Sequence, residues 1–257
     1  MFWKKSISRF ILFIIVVAAV NGTTVSASGK EELVLDTEKI DDFVRSEMKA
    51  GDIPGLAIAI VQGDKMLYLK GYGRARADGT PVTPQTPFIL GSISKGLTGL
   101  AVMRLVDRGE IDIDVPIKKY LPYFRPKDTK VTETVTVRQL LNHTSGISNY
   151  SGSKLRKPEE PLEEFLREQV NLKLQHPAGE NFEYSSLNYD ILGAVIETVS
   201  GKSYKDFIKE EVFIPLEMDQ SYANIKEGVE GGLADGYRNL FGLEFPGKTK
   251  VVESMIP

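Results

Sequence analysis

The sequence predicts an α+β domain, with strands gathered in one early hairpin and helices filling most of the chain behind it. Two observations carry that prediction. Gly55 to Val61 and Met66 to Leu69 are β-rich apolar runs around Gly63-Asp64, the pattern of a hairpin closed on a Gly-X turn. Beyond Ser92 the apolar residues recur instead at helical spacing, with prolines and glycines between the periodic stretches.

Ahead of the hairpin, Ile40, Phe43, Val44 and Met48 mark an amphipathic helix from Asp36 to Ala50, and Gly51 follows where a helix needs a left-handed exit. Gly71-Tyr72-Gly73 has no helix after it, so it reads as the end of a strand rather than a nucleotide loop. Pro81, Pro84 and Pro87 make the next stretch a loop, after which Phe88-Ile89-Leu90 is a short, strand-like run leading into Gly91-Ser92. A helix follows directly through Leu97, Leu100, Ala101, Met103, Arg104 and Leu105. Gly109 closes it, and Arg104 and Arg108 suit its negative end. Further helices fit Val137 to Asn142, Leu162 to Val170, Leu187 to Val199 and Tyr204 to Phe213, and Ser148 to Ser153 reads as a surface loop.

A chain of 257 residues, 42% hydrophobic and 26% charged, is long enough for one globular domain with a sizeable core. The net charge of -3 gives no electrostatic reason to expect nucleic acid as a partner, and small molecules or cell-wall peptides fit better. Lys4, Lys5 and Arg9 precede an unbroken apolar stretch from Phe10 to Val20, and Val25 and Ala27 suit a peptidase cutting after Ala27. Residues 1–27 are therefore expected to be a signal peptide that delivers residues 28–257 outside the cytoplasm. An uncleaved segment, associating the protein with a membrane, is the alternative. With no cysteine in the chain, neither a disulfide nor a lipid-modified thiol helps to hold or tether it.

In an SxxK pattern one helical turn places a lysine amine beside a serine hydroxyl, where an amine of depressed basicity can take the proton. Three matches occur: Ser46 to Lys49, Ser92 to Lys95 and Ser151 to Lys154. Ser46 lies on a charged helix face among Arg45, Glu47 and Lys49, and Ser151 lies in the Ser/Gly loop, where a nucleophile would not be held. Ser92 stands between an apolar run and the positive end of a helix, a place that favours an oxyanion but equally suits a plain N-cap serine. Tyr184, in a loop just ahead of a helix, could relay a proton if an ammonium lowered its pKa, or be an ordinary half-buried tyrosine. His176 has no partner at metal-ligand spacing, so no metal or cofactor is expected.

Several blocks stand in a telling order. They are Gly91-Ser92-Ile93-Ser94-Lys95, then Leu140-Leu141-Asn142-His143-Thr144-Ser145-Gly146-Ile147, then Phe182 to Gly193, then Val199-Ser200-Gly201 and Pro215-Leu216-Glu217-Met218. In this order the chain resembles serine β-lactamases of the class C type and the related penicillin-binding proteins, D-alanyl-D-alanine carboxypeptidases and esterases. The resemblance runs from about Ile53 to about Arg238. It implies a β-lactamase/transpeptidase-like fold, an antiparallel sheet with a helical subdomain. It also implies that Ser92 attacks a carbonyl, Lys95 helps to deprotonate it and Tyr184 shuttles the proton, giving an acyl-enzyme. His143 is then part of a structural turn, since the lysine already fills the role of base. Where the family usually has Asn two residues after the tyrosine, this chain has Ser186, which can offer substrate a hydrogen bond with less reach. Asn188 is a further, weaker candidate for that contact.

The family's third motif, Lys-Thr-Gly or His-x-Gly on a late strand, is not found. Lys248-Thr249-Lys250 is the nearest string, without the glycine or a strand-like run around it. The expectation is a C-terminally truncated member with the late strands missing. Half of its oxyanion hole would then be lost, which costs ~10²–10³ in rate, and the hairpin edge would be unpaired. Two functions follow: an impaired serine hydrolase acting on β-lactams, D-alanyl peptides or small esters, or a non-catalytic remnant that binds cell-wall peptide or a partner protein.

Overall fold

The computed structural model describes residues 34–149, 156, 160–240 and 243–247. The expected signal peptide and the Ser151 to Lys154 pair lie outside the described residues. Helix α1 is Thr37–Gly51. Asp36 starts it by accepting a hydrogen bond from the Lys39 backbone N–H at 3.1 Å. The left-handed exit falls one residue later than expected, on Asp52 with φ 51° instead of Gly51. Aspartate tolerates that region better than most residues, and its N–H closes the last turn on the Met48 carbonyl.

Strands β1 (Gly55–Gln62) and β2 (Lys65–Gly73) pair antiparallel around Gly63, whose φ is 63°. A Cβ on Gly71 would stand 2.3 Å from the Val82 carbonyl oxygen, so glycine there lets the following loop lie against the hairpin. Asp41 ties α1 to β2. It accepts hydrogen bonds from the Lys70 amine at 2.6 Å, the Tyr72 hydroxyl at 2.6 Å and the Tyr68 hydroxyl. These donors, Lys70 foremost, hold its carboxyl well below the usual carboxylate range, while burial and Asp41 push the Tyr72 phenol up.

No strand forms over Phe88 to Leu90, against expectation. Proline 87 breaks the row of N–H donors, and its carbonyl is taken by the Ala234 N–H at 3.0 Å rather than by a neighbouring strand.

The rest is chiefly helical: α2 (Ser94–Asp107), α3 (Lys130–Glu133), α4 (Val137–Leu141), α5 (Leu162–Glu168), α6 (Leu187–Ser200), α7 (Tyr204–Ile208) and α8 (Ile225–Glu230). Helix α7 runs on through a π turn, Lys209–Phe213, so the predicted Tyr204 to Phe213 helix is one continuous stretch. Helix α6 is the hub. Its Ile191, Leu192, Ala194, Val195 and Ile196 are fully buried, and it packs against α2, α4, α5 and α7. Among these Ala101, Val102 and Leu105 of α2 and Leu140 of α4 are equally buried. Burying a leucine or isoleucine contributes ~1.5–3 kcal/mol, so this layer is the main store of stability.

A second hairpin, β3 (Gly236–Leu240) and β4 (Leu243–Gly247), was not anticipated from the sequence. Asn239, Glu244 and Pro246 mute its β signal, since all three are depleted in strands. Lys248, Thr249 and Lys250 lie outside the described residues. Among the described residues each sheet is two-stranded, and no helix is long and apolar enough to cross a membrane.

Candidate active site

Gly91 takes φ 54°, a left-handed conformation that turns the chain into a single 3-10 turn, Gly91–Ile93. Ser92 is the middle residue of that turn and exposed, and α2 begins two residues later. Ser92 therefore stands at the positive end of α2 but does not cap it: the N-cap position belongs to Ile93. Its hydroxyl is committed elsewhere. The Lys95 Nζ lies 3.3 Å from Ser92 Oγ, and the Tyr184 hydroxyl donates to the same oxygen at 2.6 Å.

Lys95 is buried on the first turn of α2, with its amine 5.3 Å from the Tyr184 ring centroid and 5.5 Å from that of Tyr189. Burial alone would raise the Tyr184 phenol. Its hydrogen bonds with Ser92 and Lys95, and the charge on Lys95, outweigh burial and hold the phenol below its ordinary value. A tyrosine so tuned can give up and take back a proton more readily than a free phenol. Ser186 adds a hydrogen bond to that phenol, and its own backbone N–H donates to Asn149 Oδ1 at 2.9 Å.

The three residues singled out from the sequence thus converge on one oxygen atom, although they come from a 3-10 turn, a helix and a loop. Ser46, from a competing SxxK match, is exposed on α1. Asn188, the weaker candidate for substrate contact, is fully buried behind the site and accepts a hydrogen bond from Ser145 Oγ at 2.8 Å. His176 faces Glu183 at 3.7 Å, and among the described residues no group of three acidic, His or Cys side chains could hold a metal.

Two neighbours of the site were not read from the sequence. Asp190 on α6 is buried, with the Arg156 Nε 3.8 Å away, and burial pushes its carboxyl up to about 7 even though Arg156 and Lys95 pull it down. Its signal is only an acidic residue on a largely apolar helix, which Glu197 shares. Asn149, at the end of the helix-turn block, receives the Ser186 N–H and the Ser185 hydroxyl.

The chain and its arrangement of helices and antiparallel strands are similar to known proteins. A family model described as Beta-lactamase covers residues 40–244, and the chain belongs to that family. Protein flp of Staphylococcus aureus is 32% identical over 218 residues, which are 84% of this chain and 42% of that protein. The solved structure of the octameric penicillin-binding protein homologue from Pyrococcus abyssi is 34% identical with a TM-score of 0.70, covering 82% of this chain and 50% of that one. A class C β-lactamase solved in complex with cefoxitin is 25% identical with a TM-score of 0.68, covering 86% of this chain and 60% of that one. The chain thus has the β-lactamase/transpeptidase-like fold and spans about half the length of the relatives it matches.

Proposed function

We propose that the chain is a serine acyl-hydrolase that forms an acyl-enzyme on Ser92 with β-lactams, D-alanyl peptides or small esters. The observation that carries the proposal is Ser92 Oγ held between the Lys95 amine at 3.3 Å and the Tyr184 phenol at 2.6 Å. In the proposed reaction the Ser92 O–H bond breaks as Oγ bonds the carbonyl carbon. The proton passes to Tyr184 in its phenolate form, which the neighbouring Lys95 ammonium stabilises, leaving a neutral phenol. As the tetrahedral intermediate collapses, the bond from carbon to leaving group breaks and Tyr184 returns the proton to the departing nitrogen or oxygen. Water then attacks the ester carbon and gives a proton to the Tyr184 phenolate, and the ester bond breaks as Tyr184 returns that proton to Ser92 Oγ. The positive end of α2 faces the developing oxyanion, and Ser186 beside the phenol offers a hydrogen bond to bound substrate.

A β-lactam is the first substrate to test, because one structural relative was solved with cefoxitin. Export by residues 1–27 belongs to the same proposal, since cell-wall peptides and β-lactams are met outside the cytoplasm. Incubation of the purified chain with a fluorescent penicillin should give a covalent adduct that survives denaturation and is absent in Ser92→Ala. Reversible binding without an adduct would favour the non-catalytic, peptide-binding reading instead.

A further inference from the structure

We infer that His143 is a positioning residue for Tyr184, latching the peptide units on both sides of that tyrosine; the inference rests on the reading of Tyr184 as proton carrier. Tyr184 lies in a loop, is 45% exposed and has no helix or strand of its own to fix it. The backbone N–H groups of the two residues flanking it go to one partner. The Glu183 N–H donates to the His143 carbonyl at 2.8 Å, and the Ser185 N–H donates to His143 Nδ1 at 3.2 Å. The imidazole between these bonds faces the Tyr184 ring, centroids 4.6 Å apart at 36°, and is packed by Tyr189 at 5.3 Å and Phe182 at 5.8 Å.

A buried relay sets the direction of the side-chain half of the latch. The Ile147 N–H donates to Ser145 Oγ at 3.1 Å, so the Ser145 hydroxyl is free to donate onward, which it does to Asn188 Oδ1 at 2.8 Å. That bond turns the amide nitrogen of Asn188 toward His143 Nδ1, at 3.3 Å. Nδ1 therefore meets two N–H donors and can only accept, which places the proton of a neutral ring on Nε2. Burial, helped by the charge on Lys95, lowers the His143 pKa and favours that neutral form. His143 also takes φ 60°, a left-handed conformation uncommon for any residue but glycine. This turn, just past the end of α4, lets one residue present both its carbonyl and its ring to the same passing segment. The histidine of this block is therefore more than a turn, yet it is not a base: its acceptor nitrogen is committed to the tyrosine loop.

The test separates the acceptor from the ring. Asparagine carries its Oδ1 on the same γ carbon as histidine carries Nδ1 and accepts left-handed φ, whereas phenylalanine keeps a ring and loses the acceptor. The rate of covalent labelling by fluorescent penicillin should fall about 10- to 100-fold in His143→Phe, the scale of a small misplacement of a catalytic group, and stay within about 3-fold of the parent in His143→Asn. Amide exchange should quicken at Ser185 but not at Glu183 in His143→Phe. In the unsubstituted chain, imidazole ¹⁵N shifts at neutral pH should show His143 with its proton on Nε2, a reading that needs no variant to fold. A proton on Nδ1, or unchanged Ser185 exchange or full-speed labelling in His143→Phe, overturns the latch. If the unsubstituted chain takes no label while the exchange and ¹⁵N results are as expected, the latch stands and the proton-carrier reading of Tyr184 fails.

Discussion

The α1 and first-hairpin region and the helical region around α6 are held by different forces. Around α6 the packing is chiefly apolar, with Ile191, Leu192, Val195 and Ile196 fully buried. In the hairpin Val61, Met66 and Leu69 are 55%, 51% and 44% exposed, and the tie to α1 is the Asp41 carboxylate with Lys70, Tyr68 and Tyr72. Ser92, Lys95 and Tyr184 all rest on the helical side. The hydrogen-bonded contact of Ser92, Lys95 and Tyr184 is therefore expected to depend on the α6 core, and loosening of the first hairpin is expected to leave it in place.

Three substitutions break or sharpen that contrast. Tyr184→Phe keeps the ring and removes the hydroxyl proposed to carry the proton, so labelling of Ser92 should slow by about 10²–10⁴, the range of a lost general acid–base, with no change in melting temperature. A labelling rate equal to the parent's would remove Tyr184 from the mechanism. Leu192→Ala opens a cavity in the hub and should cost about 2–5 kcal/mol in denaturant unfolding, with labelling and overall fold lost together as denaturant rises. If labelling outlasted the helical signal, the site would not depend on this core.

Asp41→Asn should have the smallest effect, loosening α1 from β2 without slowing labelling. Lys70, Tyr68 and Tyr72 hold the folded-state carboxyl below its unperturbed 3.8, so the stability it supplies is complete above that value and drains away as the pH falls below it. The parent and Asp41→Asn should therefore differ in stability near neutral pH and converge in acid, as followed by pH-dependent unfolding. A gap that widened in acid would contradict the tie.

What was legible in the sequence divides along the same line. Ser92 and Lys95 are one helical turn apart, so local spacing and the glycine before them pick them out from Ser46 and Lys49 without knowledge of the fold. Tyr184 lies 92 residues away from Ser92, and only the order of the blocks marked it. The Asp41 tie joins residues 27 to 31 apart, and the His143 acceptor serves a residue 42 further on. No periodicity encodes such pairings, because they depend on how the chain returns upon itself. The second hairpin was missed for a different reason. Its polar and proline content lowers the strand signal, although the backbone pairing of Gly236 with Gly247 is regular.

In the proposed reaction the Ser92 hydroxyl is the atom acylated. Peptide mass mapping of the purified chain after exposure to a β-lactam tests it most directly. The expected result is the full mass of the opened lactam on the peptide containing Ser92, and on no other serine. Modification at Ser46 or Ser151, or an adduct of unchanged yield in Ser92→Ala, would contradict it.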